Sequence, residues 1–398
     1  MADNNENKVL NVPHLRFPEF SGEWKRVELK DVAEFQKSRI PADSLDASCY
    51  ISTENLIPNF GGIKEASSIP TDGNVMAIKP NDILISNIRP YLKKVWQSDR
   101  FGGCSADVFV LRTTRCQSDF LYNIIASDKF INYAMSGAKG VKMPRGDKRQ
   151  MEEFEFSIPA IEEQNRISRL LSLLDERIAT QNKIIEKYES LIQAMCDALI
   201  ESEQHKVKLS FNDFGEPYSG LLGKSAEDFG EGCPYITYMN VYQNQIIDTA
   251  NVGLVKINET EQQSVVHYGD ILFTLSSETA EEVGMGAVYL GDTYPLYLNS
   301  FCFGIHIIDE NKIFPPFLAF YVSTKSFRKV VFPLAQGSTR FNLQKNDFMK
   351  KVFSFPTVER QRKIYSALKT YSDKLSVEKS IAKLLCEQKN HLLSQLFI

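Results

Sequence analysis

The sequence predicts an α+β protein of two similar modules, separated and followed by long helices that pair as an antiparallel coiled coil. Three observations predict it. First, the chain repeats. Shifted by 197, residues 120–201 fall on 317–398 without a gap, so Phe120-Leu121 meets Phe317-Leu318, Gly140 meets Gly337, Pro159 meets Pro356 and Gln164 meets Gln361. That period is too long for a solenoid and marks two copies of one domain. Second, each copy ends in a stretch free of glycine and proline, with apolar residues spaced by three and four. Third, short apolar runs bounded by turn residues fill the rest of each copy.

Residues 1–25 are polar, then aromatic and proline-punctuated, and read as an ordered lead-in. Strands are expected at Asp82–Ser86 and Val108–Leu111, and again at Asp270–Thr274 and Cys302–Ile307. One helix is expected near 118–134 and its copy near 315–331. After Pro159 the apolar positions are Ile167, Leu170, Leu171, Leu174, Ile178, Ile184, Ile185, Tyr188, Leu191, Ile192, Met195 and Leu199, with Gln181 as a polar interruption. The second copy has Ile364, Leu368, Tyr371, Leu375, Ile381, Leu384, Leu385, Leu392 and Leu396. About 40 residues at ~1.5 Å each make a rod of roughly 60 Å, which needs a partner along its stripe. The two stripes of one chain can serve each other; the rival is a coiled coil between two chains. The boundaries that follow are a first module at 1–158, a helix at 159–203, a second module at 204–355 and a helix at 356–398.

A chain of 398 residues has room for two or three domains, and 43% hydrophobic with 24% charged residues is ordinary for a globular protein. No apolar run reaches the ~20 residues of a membrane span, and the start MADNNENK lacks a signal-peptide core, so a cytoplasmic protein with no membrane partner is expected. Seven scattered cysteines form no C-x-x-C pair, which argues against a zinc ribbon and a disulfide framework. The net charge of −4 argues against non-specific coating of nucleic acid but not against local basic patches.

Catalytic motifs fail on inspection. Gly220 to Ser225 (GLLGKS) resembles a phosphate loop, but Tyr218 stands where its first glycine belongs. Phe314-Pro315-Pro316-Phe317 has phenylalanine where a methyltransferase loop needs Asn or Asp, and prolines suit a helix start. His14, His205, His267, His306 and His391 show no metal-ligand spacing, so no metal is expected. Two acidic pairs hold matching places, Glu162/Glu359 and Asp82/Asp270, and are read as structural, at helix starts and turns.

The basic and polar loops are more informative. Lys139, Lys142, Arg145, Lys148 and Arg149 crowd one glycine-bearing segment, and its copy carries Ser338, Thr339, Arg340, Asn342, Gln344 and Lys345. These side-chain types contact phosphates and base edges, and different choices at one place fit two readers of different sequences. Arg89, Lys93 and Lys94 form a second cluster in the first module; Lys224 and Ser225 are candidates in the second.

With these features the chain resembles the specificity subunit of a type I restriction–modification system. The residues that carry the resemblance are NVPHLRFPEFSGEWKRVELKDV, NDILISNIRPYLKK, YSGLLGKSAEDFGEGCPYITYMNV and GDILFT, with the two helix openings SIPAIEEQNRI and SFPTVERQRKI. The resemblance covers nearly the whole chain. It implies a non-catalytic subunit with two target recognition domains, each reading half of a bipartite site on double-stranded DNA. It further implies that the helices set the gap and dock two methyltransferase subunits, which restriction/translocase subunits join. S-adenosylmethionine, ATP and Mg would then belong to those partners, with no cofactor on this chain. The other reading of the same duplication is a pseudo-two-fold scaffold that binds only proteins.

Overall fold

The computed structural model describes residues 11–258 and 260–397. The polar first residues of the lead-in lie outside that range. The chain forms two compact units, Met1–Thr180 with Ala382–Ile398, and Gln181–Ile381.

Each unit is closed at its base by one short antiparallel ladder. In the first, Lys25–Glu28 pairs with Glu155–Ile158; in the second, Lys206–Ser210 pairs with Val352–Pro356. Start and end of the module therefore lie side by side just ahead of the long helix. Above the ladder, the first unit has a four-stranded sheet ordered Ala33–Phe35, Val108–Thr113, Ile83–Ser86, Val95–Gln97. The second unit repeats the order with Gly215–Ser219, Cys302–Ile307, Ile271–Thr274 and Gly286–Val288. The four strands expected from sequence are thus present, and they are the central pairs of both sheets.

The helix expected near 118–134 is two helices, Ser118–Ile125 and Asp128–Ser136, and its copy is Pro315–Tyr321 and Lys325–Val331. Ser127 and Thr324 break them. Each hydroxyl accepts from the backbone N–H three residues on, of Phe130 and of Phe327, and so starts a new helix. These helices cover the sheets with phenylalanine. In the second unit Phe327 stacks on Phe273 of the sheet at 6.2 Å and on Phe353 at 4.8 Å. Each such ring contributes roughly 2–3 kcal/mol by leaving water.

The long helices are Ile161–Glu201 and Val358–Leu396. In the first unit Ile167 and Leu171 enter the core beside Leu396; in the second Ile192, Cys196 and Ile200 enter it with Ile364 and Leu368. Pairing is antiparallel and within one chain. Asp175 meets Lys389 at 2.6 Å in the first unit, and Glu203 meets Arg360 at 2.8 Å in the second. The Gln181 amide donates to the Glu378 carbonyl at 3.1 Å, and these two residues are 197 apart, each the other's copy. Two expected seam residues are misplaced: Leu191 is 43% and Leu384 62% exposed, and the stripe passes through Tyr188 and Ile192 in the first helix and Leu385 in the second.

At the helix openings Glu162 and Glu359 are exposed, while Gln164 and Gln361 are buried. Gln164 accepts from the Gln117 N–H at 2.9 Å and donates to the Pro159 carbonyl at 2.9 Å. Gln361 does the same with Phe314 at 2.7 Å and Pro356 at 2.8 Å. One amide thus fastens each long helix to the start of the short helix pair. Among the described residues, no helix is long and apolar enough to cross a membrane.

Candidate nucleic-acid interface

Both units carry the same hairpin at the same place. In the first, Lys139 and Arg145 exchange backbone hydrogen bonds of 3.0 and 2.9 Å. In the second, Ala335–Gln336 pairs with Phe341–Leu343, placing Gln336 opposite Asn342. The two cross-strand pairs are again 197 apart. Gly140 and Gly337 turn the loops at φ +97° and +135°, and a Cβ on Gly337 would sit 2.1 Å from the Arg340 carbonyl oxygen. Only glycine fits there.

Each hairpin is stitched to the segment leaving the central Asp-Ile-Leu strand. The Gly146 N–H donates to Asn87 O at 3.0 Å, and in the copy the Leu343 N–H donates to Leu275 O at 2.8 Å. Arg89 holds a left-handed backbone, φ 50°, and its N–H donates to Pro144 O at 2.8 Å. A non-glycine residue there costs about 1 kcal/mol, which the hairpin contact offsets. The clusters read separately in sequence, around Arg89 and around Lys139–Arg149, therefore meet on one face of the first unit.

The proposed contact residues are not equivalent. Arg89, Lys142, Arg145 and Arg149 are exposed, as are Ser338, Thr339, Arg340 and Asn342. Lys139 pairs with Asp147 at 2.7 Å and Arg145 with Asp107 at 3.1 Å. The Lys139 ammonium holds the Asp147 carboxyl below its usual range. Lys142 and Arg340 have no acidic partner among the described residues. Lys148 turns inward over the rings of Phe109 and Phe35, at 4.7 and 5.4 Å.

Four other candidates are engaged within the fold. The Lys94 ammonium is tied to the Thr53 carbonyl at 2.6 Å, and burial lowers its pKa. Lys93 pairs with Asp128 at 2.7 Å and lines a separate cavity of about 810 Å³ with Tyr122 and Lys389. Lys224 has a side chain only 3% exposed, locked to Glu261 at 2.6 Å. The Ser225 hydroxyl donates to Asp228 at 2.9 Å, closing a short turn. None of these four offers an unengaged polar group at a hairpin. Lys345 is intermediate, half-buried with its ammonium 3.3 Å from the Ser219 hydroxyl.

Sequence reasoning missed the floor of the second hairpin. Arg340, Ser276 and Ser277 line a cavity of about 410 Å³ with Tyr238, Met239 and Tyr242. The two tyrosine rings stack at 5.9 Å, and the Tyr238 hydroxyl donates to Ser276 O at 2.7 Å. Tyrosines four apart on one short helix were the available signal. The fold also joins two histidines that sequence spacing kept apart: His267 Nδ1 lies 3.4 Å from His306 Nδ1, beside Asp270.

The family profile of the type I restriction modification DNA specificity domain matches residues 21–190 and 219–385, once over each copy. The chain belongs to the type I specificity-subunit family. Its role is DNA sequence recognition, and the specificity subunit is not itself the catalyst. The specificity subunit of the type I restriction enzyme MjaVIII from Methanocaldococcus jannaschii is 23% identical, over 94% of this chain and 91% of that protein. The EcoDI specificity subunit of Escherichia coli is also 23% identical, over 48% of this chain and 44% of its own. In structure, the specificity subunit of M. genitalium superposes with a TM-score of 0.55 at 18% identity, covering 97% of this chain and 99% of that one. A chain from a type I system studied for complex assembly and conformational transition gives 0.51 at 18% identity, over 94% and 97%. Both solved chains share this fold.

Proposed function

We propose that each unit of this specificity subunit reads one half of a bipartite target on double-stranded DNA through its hairpin face. The observation that carries the reading is the pair of hairpins. Their backbones correspond residue for residue, yet one tip carries Lys142 and Arg145 and the other Ser338, Thr339, Arg340 and Asn342. A shared frame with different exposed donors is what two readers of different half-sites require. The aromatic floor beneath Arg340 adds flat apolar surface for base edges or thymine methyl groups.

In this reading the long helices set the gap between the half-sites and dock two methyltransferase subunits, which restriction/translocase subunits join. S-adenosylmethionine, ATP and Mg act on those partners, in the cytoplasm. The modules that do the reading are 1–158 and 204–355, with helices at 159–203 and 356–398. The test is a domain exchange. Residues 26–158 are replaced by those of a relative, the chain is expressed with its methyltransferase, and methylated adenines are mapped by sequencing. One half of the motif changes and the other stays. A change in both halves overturns independent reading; methylation without any motif dependence on the exchange leaves the scaffold reading in its place.

A further inference from the structure

The two units hold one buried carboxylate in common and answer it differently. In the first, Asp82 is 1% exposed and takes Arg112 in a two-bonded pair, Nε to Oδ1 at 2.7 Å and Nη2 to Oδ2 at 2.7 Å. The Gln36 amide oxygen accepts from the same guanidinium at 2.8 Å. In the second, strand register places His306 where Arg112 stands: Ile83 pairs with Leu111, and Ile271 with Ile305. By the same register Tyr218 replaces Gln36, because Phe35 pairs with Leu111 and Pro217 with Ile305.

Asp270 is 2% exposed and receives no guanidinium. Its Oδ2 accepts from the Tyr218 hydroxyl and from the His267 backbone N–H, both at 2.8 Å. His306 Nδ1 faces both carboxylate oxygens, each at 2.9 Å. His306 Nδ1 in turn faces His267 Nδ1 at 3.4 Å, and the three ligand atoms lie within 4.8 Å of one another. The Tyr218 ring stacks on His306 at 4.1 Å, and Gly304 makes room for it, since a Cβ there would meet the ring at 2.1 Å.

Two imidazole nitrogens and a carboxylate converging this closely form a donor set that a cation can bridge. A tetrahedral ion with bonds of about 2.0–2.1 Å holds two nitrogens roughly 3.3–3.4 Å apart. We propose that His267, His306 and Asp270 bind a divalent transition-metal ion, with zinc the chemistry that fits. Imidazole and carboxylate suit it. The exposed His267 leaves a side open for water as the remaining ligand. Tyr218 orients the carboxylate through its hydrogen bond to Oδ2. The ion supplies the positive charge that Arg112 supplies in the first unit, and fastens strand Cys302–Ile307 to the turn at His267–Asp270.

The full-length chain is stripped with a chelator and titrated with Zn²⁺ by calorimetry near neutral pH. Co²⁺ in its place is followed by visible d–d absorption. One site with a Kd of about 10 μM or tighter is expected, and bound zinc raises Tm. His267→Ala and His306→Arg weaken that site at least about tenfold. His306→Arg also rebuilds the arrangement around Arg112, so it keeps the metal-free Tm and separates loss of the site from loss of the fold. Failure of the stripped chain to bind zinc overturns the proposal. So does unchanged affinity in both variants, which would put the ion elsewhere, on the cysteines for example.

Discussion

Lys142 and Arg340 are exposed hairpin cations without an ion pair to a carboxylate among the described residues, unlike Lys139 and Arg145. Replacing either by alanine is expected to weaken DNA binding and, where the contact is phosphate alone, to lower the salt slope by about one unit. Affinity measured at several salt concentrations checks this. Arg145→Ala and Asn342→Ala are expected to cost on the order of 1–3 kcal/mol at one base position each; unchanged affinity and specificity in all four variants removes the hairpins from the interface. A second residue-scale expectation concerns stability. Arg112→Ala leaves Asp82 buried and unpaired, a loss of about 3 kcal/mol or more. The chain's two tryptophans, Trp24 and Trp96, both lie in the first unit, so urea unfolding followed by their fluorescence reads that unit alone. The hairpin residues were legible because the duplication placed two polar loops in register. Lys94, Lys224 and the histidine pair were not, since what engages them is fixed by the fold. Thr53, Glu261 and the second histidine stand 41, 37 and 39 residues away.

At the scale of elements, the long helices were the clearest reading, because periodicity over some forty residues leaves no competing structure. The short helices were less so. Ser127 and Thr324 sit inside apolar patterns that continue past them, and only the cap bonds show that the chain restarts there. The copy-to-copy offset also shifts along the chain. It is 197 at the hairpins but 188 at Asp82/Asp270, so insertions hid the match of Arg112 to His306. Periodicity likewise could not rank neighbours within the stripe. Leu171 is fully buried, while Leu173, two residues on, is 46% exposed. Leu171→Ala is expected to cost the first unit about 3 kcal/mol, and Leu173→Ala under about 0.5 kcal/mol, by the same tryptophan-detected unfolding. Equal costs would mean that the helix start does not use this face for the core.

For the whole molecule, the division into units suggests how to alter the gap without damaging either reader. Contacts cluster within 1–180 with 382–398, and within 181–381. Four residues inserted between Thr180 and Gln181, and four more between Ile381 and Ala382, therefore leave each unit's own pairs in place. Asp175 keeps Lys389, and Glu203 keeps Arg360. Four residues add about one turn and ~6 Å to each rod, which is roughly two base pairs at ~3.4 Å each. If the helices set the gap, the methylated motif gains about two undefined positions between half-sites of unchanged sequence. Mapping methylated adenines in cells that carry the lengthened chain decides it. A motif with the original spacing, from a variant that still methylates, would show that the gap is set by the partner subunits or by the DNA instead of by these helices.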